Sequence, residues 1–311
     1  LKPLVLLGPT ASGKSALAME LARAGTPDGQ AIEIISADSM GVYREMDIGT
    51  AKPSAADRAE IPHWCLDLVS PDEEYTVRRY QTDACAALEN IASRGAQALI
   101  VGGAGLYIRA VVDDIDIPGQ FPQVRQDLDA DNSTEQLYSQ LCELDPVAAG
   151  RMEPANRRRI LRALEVTLGS GKPFSAFGAG LAVYPPTNFR QVGLRPPRPL
   201  LNERIAKRFE RQLAAGLVGE AERLYHRPGG LSKTAQQALA YKELFSYFRG
   251  ELTLEEAVEL ALSRTRKFSR RQLRWFRRDT RITWLDADLS EGSDLRQDML
   301  KAVSSALFSQ V

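Results

Sequence analysis

The octapeptide GPTASGKS, residues 8 to 15, follows the apolar run Leu4 to Leu7 and leads into a helical stretch from Lys14 to Ala24. A loop of this pattern works at the join between a buried strand and a helix, because its backbone N–H groups and the helix N-terminus must converge on one anion. Its residues are Gly8, Pro9, Thr10, Ala11, Ser12, Gly13, Lys14 and Ser15. The amides suit a di- or triphosphate, Lys14 neutralises phosphate charge, and the Ser15 hydroxyl can hold Mg²⁺. Strand and helix signals alternate behind the loop. Ile32 to Ile35 reads as a second strand, Thr76 as the cap of a helix running to about Ser93, and Ala98 to Val101 as a third strand ending in Gly102-Gly103. This alternation predicts an α/β fold, a P-loop NTPase-like parallel sheet with helices on both faces.

From about Pro118 the texture turns polar and helical. Ser133 with Gln136 forms a capping box ahead of Leu137, Leu141 and Leu144. Asn156 precedes a helix carrying Ile160, Leu161, Leu164 and Leu168, with Gly169 and Gly171 as its stop. The next strand is expected at Asn188 to Leu194. The expected division is 1–117 for the first part of the sheet domain, 118–187 for a helical insertion and 188–311 for the rest of the sheet with long C-terminal helices, with hinge-like linkers near Pro118 and Pro185-Pro186. In one of those helices Leu201, Ile205, Phe209 and Leu213 repeat every four residues and place Arg204, Arg208 and Arg211 on a neighbouring stripe. Thr253 with Glu256 caps the longest helix.

Charge and cysteine content exclude several classes. Lys and Arg total 40 against 40 Asp and Glu, so no global field announces a nucleic acid or a membrane, and any such signal is local. Three scattered cysteines and two histidines give neither a disulfide framework nor zinc-ligand spacing. The opening apolar run is too short to span a bilayer, and a soluble cytoplasmic protein is expected. Local clusters do exist. Arg264, Lys267, Arg271, Arg274 and Arg278 fall on one helical stripe beside Phe268, Gln272 and Trp275, and Arg157, Arg158, Arg159 and Arg162 gather at the insertion. Two arginine clusters with interleaved aromatics on a neutral chain point to a groove for an RNA backbone.

Asp38 lies just past the second strand, at the edge where ligands of parallel sheets sit. It admits two readings, a magnesium ligand or helix cap, and a general base beside the phosphate cradle. The third strand, ALIVGG, ends without the acidic residue that P-loop ATPases often place there, which weakens ATP hydrolysis as the function.

In this order and at these spacings, GPTASGKS, SADSMGVYREMDIGTAKP, VGGAGLYIRA, RRRILRALEV, YKEL and RRQLRWFRRD resemble the tRNA dimethylallyltransferase family over nearly the whole chain. The DIGTAKP segment is far more specific than the phosphate loop. The resemblance implies transfer of a five-carbon allyl group from dimethylallyl diphosphate to N6 of the adenosine 3′ to the tRNA anticodon, position 37. It makes Asp38, Lys14 and Arg208 catalytic, gives Gly8 to Ser15 to the diphosphate and Ser15 to Mg²⁺, and has Asp38 take the amine proton. It turns Asp38, Ser39, Met40, Gly41, Ala104, Arg125, Arg158, Arg159, Arg162, Ala240, Tyr241, Lys242, Arg271, Gln272, Trp275 and Arg277 toward the RNA, and a monomer is expected. The chain departs from the pattern at Gly41, Ala104, Ala240 and Arg274; Ala104 lacks a hydroxyl whose average net contribution would be about 0.5–1.5 kcal/mol. Competing readings are prenylation of free adenine nucleotides, a P-loop kinase or ATP-dependent RNA-binding protein, and an RNA binder without activity.

Overall fold

A computed structural model describes residues 2–131, 133–178, 180–286 and 293–308. The strands are β1 (Leu4–Leu7), β2 (Ile32–Ala37), β3 (His63–Trp64), β4 (Gln97–Gly102), β5 (Arg190–Leu194) and β6 (Ile282–Leu285). They form one parallel sheet in the order β3-β2-β4-β1-β5-β6. The α/β expectation therefore holds. The crossover from β1 runs toward β2 and that from β4 toward β5. The crevice beyond Leu7 and Gly102, which are paired in register, is thus a topological switch point.

Side chains alternate across the sheet and build two cores. Val5, Leu7, Ile35, Ala37 and Ile100 face one way, and Leu4, Leu6, Ile34, Leu99 and Val101 the other. Central parallel strands are covered on both faces, so they read as continuous apolar runs. The helices are α1 (Lys14–Ala24), α2 (Ala55–Glu60), α3 (Val77–Ser93), α4 (Gly105–Val112), α5 (Pro122–Asp131), α6 (Thr134–Leu144), α7 (Pro146–Ala149), α8 (Arg157–Ser170), α9 (Arg198–Ala214), α10 (Leu217–Tyr225), α11 (Tyr241–Phe248), α12 (Leu254–Phe276) and α13 (Ser293–Phe308). Helices α1 and α13 contribute Leu17, Leu21, Val303 and Leu307 to the second core; α3, α4 and α9 to α12 contribute to the first. No helix among the described residues is long and apolar enough to cross a membrane.

The chain divides into two compact units, Leu1–Val112 with Pro186–Val311, and Asp113–Pro185. The second unit has its own core of Leu128, Leu137, Leu141, Ile160, Leu161 and Leu164. The Ser133 box and the Asn156 cap start α6 and α8 as expected. Leu144 and Leu168, expected on the apolar faces, are instead exposed. Gly169 does not stop α8 but lies inside it, where a Cβ would come within 2.1 Å of the Phe121 ring; Gly171, at φ 71°, is the C-cap.

Within the first unit the DIGTAKP segment is irregular backbone, and its polar groups are satisfied from elsewhere. Buried Glu220 on α10 accepts the N–H groups of Asp47 (3.1 Å), Ile48 (3.0 Å) and Gly49 (3.2 Å). Gln212 on α9 donates to the carbonyls of Ile48 and Gly49 at 2.6 and 2.9 Å. Lys52 buries its ammonium against the Tyr43 carbonyl, Asp47 and Asp67. The hydroxyl of fully buried Tyr241 donates to Glu220 at 2.5 Å, and burial followed by that carboxylate raises the phenol pKa. Glu220→Gln exchanges an all-acceptor group for one with two donors facing other donors. It should lower stability by about 1.5–3 kcal/mol, read as a lower urea midpoint at unchanged m-value.

Candidate active site

The phosphate loop leaves β1 with Gly8 N–H donating to Gly102 O at 3.3 Å and Ser12 N–H to Pro9 O at 3.2 Å. Ala11 at φ 62° and Gly13 at φ 90° turn the chain into α1. Helix α1 has no side-chain cap and no acidic residue in its first turn, and the amides of Ala11, Gly13, Lys14 and Ser15 reach no acceptor among the described residues. Uncapped donors with an unopposed dipole make a site for an anion. Lys14 Nζ donates to Pro9 O at 3.2 Å. Burial, then the Arg208 charge, lower the Lys14 pKa to about 8 against a smaller opposing pull from Asp38. Burial also lowers the Arg208 pKa, which Asp38 raises in part.

Beside the loop lies a cavity of about 270 Å³. Thr10, Asp38, Thr50 and Arg208 line its polar side, and Met40, Ile205, Phe209, Leu239 and Phe268 its apolar side. Asp38 follows β2 directly, is exposed, and uses one oxygen to accept the Met40 N–H at 2.9 Å. Arg208 reaches from α9 to Thr10 Oγ1 (3.5 Å) and Thr50 O (3.3 Å), so it joins the loop to the DIGTAKP segment. The guanidinium of Arg271 stands 5.9 Å from the Phe268 ring centre. Lys14, Asp38 and Arg208 are thereby brought together although 24 and 170 residues separate them.

The Mg²⁺ expectation passes a chemical test. Among the described residues no group of three His, Cys, Asp or Glu could cage a metal. Mg²⁺ ordinarily takes few protein ligands and completes its shell with water and substrate phosphate, so the exposed Ser15 hydroxyl at the start of α1 fits.

Other expected residues fall in different settings. Ser39 lines the cavity and Gly41 is buried with Leu66 Cδ2 3.2 Å from where a Cβ would stand. Ala104 is half-buried and its N–H donates to Ala37 O at 3.2 Å. Lys242 donates to Gln237 at 2.6 Å. Arg271 and Arg274 on α12 and Arg277 just after it are exposed and, among the described residues, have no carboxylate partner, and Trp275 packs on Gly105. Arg264, expected on the same basic stripe, instead pairs with fully buried Glu243. Two of the residues expected to face the RNA have their side chains occupied within the protein. The Tyr241 side chain is a core residue, pressed on Gly49 with its hydroxyl committed to Glu220, and Gln272 is buried with its amide committed to Thr10 and Gly103.

In the helical unit Arg125 and Arg162 both bond buried Glu165, at 3.3 and 2.7 Å, whereas Arg158 and Arg159 are exposed. Sequence reasoning missed Glu220 and Gln212, which hold the segment under the cavity. The signal for Glu220 was present: a glutamate interrupts the apolar stripe Leu217, Ala221, Leu224.

Residues 41–279 match the family model described as IPP transferase. The chain belongs to that family. It is 44% identical over 310 residues to the tRNA dimethylallyltransferase of Kineococcus radiotolerans, covering 98% of this chain and 97% of the relative. It is 43% identical to that of Pelotomaculum thermopropionicum, covering 91% and 90%. Among solved structures, the full-length tRNA isopentenylpyrophosphate transferase of Bacillus halodurans superposes with a TM-score of 0.71 at 33% identity, covering 99% and 97%. A eukaryotic dimethylallyltransferase acting on tRNA does so at 0.79 and 26%, covering 97% and 78%.

Ala240 lines the cavity at φ 73°, ψ −48°, a γ-turn conformation that a Cβ strains. Ala240→Gly should raise stability by about 1 kcal/mol, seen as a higher thermal midpoint. Lys14 sets a pH dependence whose sign follows from its lowered pKa. Below about pH 8 the ammonium is charged and attracts an anion; above it the free site is neutral, and binding must recruit a proton. The affinity for inorganic diphosphate should therefore fall above that pH by up to about tenfold per unit, with proton uptake on calorimetry.

Proposed function

We propose that this chain transfers the dimethylallyl group of dimethylallyl diphosphate to N6 of adenosine 37 in tRNA, giving N6-isopentenyladenosine. One observation carries the reading: a cavity beside the uncapped phosphate loop is lined by Thr10 of that loop, by Arg208, by an apolar wall and by the exposed carboxylate Asp38, and the Lys14 charge interacts with both Arg208 and Asp38. A nucleoside triphosphate would not need the apolar wall. A five-carbon allyl group with a diphosphate tail needs both.

In this reading the loop amides and Lys14 take the diphosphate, and Met40, Ile205, Phe209, Leu239 and Phe268 shield the allyl chain from water. The exocyclic amine of adenine is a weak nucleophile because its lone pair is delocalised into the ring. Asp38 accepts one of its protons as the N6–C1 bond forms and the C1–O bond breaks, and the bonding pair leaves with the diphosphate. Lys14 and Arg208 stabilise the charge that develops on the departing oxygens. Mg²⁺ held by Ser15 together with the diphosphate would add positive charge at the same place.

The target base has to leave its loop stack to reach the cavity. Arg271, Arg274 and Arg277 on the sheet unit, and Arg158 and Arg159 on the helical unit, are among the exposed cations available for RNA phosphates. A free nucleotide would not require them, so turnover on AMP should be far below that on an anticodon stem-loop.

Asp38→Asn keeps the shape of the side chain but removes the base. Transfer of labelled prenyl group to an anticodon stem-loop should fall by about 10²–10⁴-fold, with stem-loop affinity by filter binding nearly unchanged. A drop in affinity as large as the drop in rate would make Asp38 an RNA contact rather than a base.

A further inference from the structure

We propose that Gln272 is a positioning residue tying the phosphate loop to the basic helix α12, so that RNA on the helix and diphosphate in the loop strengthen each other's binding. Three segments meet at its side-chain amide. Oε1 accepts the Thr10 N–H at 2.9 Å, and Nε2 donates to Gly103 O at 2.9 Å. The residue is only 7% exposed, so water cannot replace either bond when it is lost. The approach also constrains the residue opposite. A Cβ on Gly103 would stand 2.3 Å from Nε2 and 3.1 Å from Gly8 O.

One turn further along, Trp275 lies against Gly105, where a Cβ would come within 2.2 Å of the indole. Helix α12 is thereby pinned to the segment after β4 at two successive points. Helix α12 and the two residues that follow it also carry Arg271, Arg274, Arg277 and Arg278, exposed and, among the described residues, without a carboxylate partner. Thr10, the loop residue that Gln272 holds, is also the one within reach of Arg208 and the cavity. A displacement of α12 under an RNA backbone therefore acts on Thr10 through one side chain. Linkage makes the effect reciprocal: whatever RNA does for diphosphate, diphosphate does for RNA.

The inference rests on the reading of the chain as an RNA prenyltransferase, and the test separates the two. Inorganic diphosphate is titrated by calorimetry into the full chain, with and without a saturating anticodon stem-loop, and prenyl transfer is assayed on the same preparations. In the wild type the stem-loop should tighten diphosphate binding by about fivefold or more. In Gln272→Met the ratio should fall to near one and the KM for dimethylallyl diphosphate should rise, while affinity for the stem-loop alone, set by the arginines, changes little.

Gln272→Glu retains the acceptor for Thr10 but cannot donate to Gly103, and should keep part of the coupling; it also serves if Gln272→Met fails to fold. A merely structural role would lower the melting temperature and leave the ratio intact. Retention of the wild-type ratio in both variants, or a ratio of one in an active wild type, overturns the proposal. Coupling in a wild type that transfers no prenyl group would instead overturn the prenyl-transfer reading and leave the role of Gln272 standing.

Discussion

The structure is organised around backbone amides that the protein leaves without partners. Helix α1 begins at Lys14 behind Gly13, with no side-chain cap, no acidic residue in its first turn and a run of amides that meet no acceptor among the described residues. Such an end is costly to bury, so it has to stay open to an anion or to water. Everything nearby keeps it in place without filling it. Gly8 binds back to Gly102, Gln272 holds Thr10 from α12, and Arg208 approaches Thr10 from α9. Lys14 folds over Pro9 with its ammonium partly desolvated, which lowers its pKa. A cation destabilised in the free protein regains that energy when an anion arrives, which is the behaviour the proposed diphosphate site requires.

The opposite wall of the cavity solves a different problem. The DIGTAKP segment carries Thr50 and lies under Asp38, yet it is neither strand nor helix, so its amides and carbonyls must be satisfied from outside. Glu220 takes three consecutive N–H groups and Gln212 two consecutive carbonyls, and Lys52 closes the segment onto Tyr43 and Asp67. Gly49 is required because the Tyr241 ring occupies the place of a side chain, at 2.5 Å from a Cβ. This segment contributes Gly49 and Thr50 to the cavity wall that Asp38 also lines, and Asp38 itself accepts the Met40 N–H at 2.9 Å.

Much of this was legible in the sequence where local chemistry decides the outcome. The phosphate loop, β1, α1, the Thr76 cap and both capping boxes follow from signals within a few residues. Asp38 could be placed at the cavity because parallel sheets put strand ends there. What stayed hidden depends on partners far along the chain. His63–Trp64 and Ile282–Leu285 are strands because a neighbouring edge pairs with them, not because their own pattern demands it. Tyr241 and Gln272 sit in motifs that resemblance turns toward RNA, yet the chain uses their side chains for Glu220, Thr10 and Gly103. The departure at Ala240 shows its physical meaning only in the backbone, where a positive φ explains why glycine suits that position.

The neutral net charge, which left any signal for a nucleic-acid partner to local clusters, also has a structural side. Among the described residues Glu33, Asp145, Glu165, Glu220, Glu243 and Asp279 are buried, whereas Arg109 is the only buried arginine or lysine by whole-residue exposure. The acids serve as internal acceptors: Glu33 for Trp64 and Arg94, Glu165 for Phe121 and two arginines, Glu243 for Ala240 and Arg264. Each of these carboxylates is occupied by internal donors, so the formal total does not say where the exposed, unpaired charges lie. Exposed arginines cluster on the last turns of α12 with the residues just after it, and at the start of α8, where a screened Coulomb field of about 10 Å range acts on a phosphate backbone regardless of the formal total. Net charge thus counts the wrong population; the quantity that governs attraction to RNA is the charge left outside after the fold has used its carboxylates.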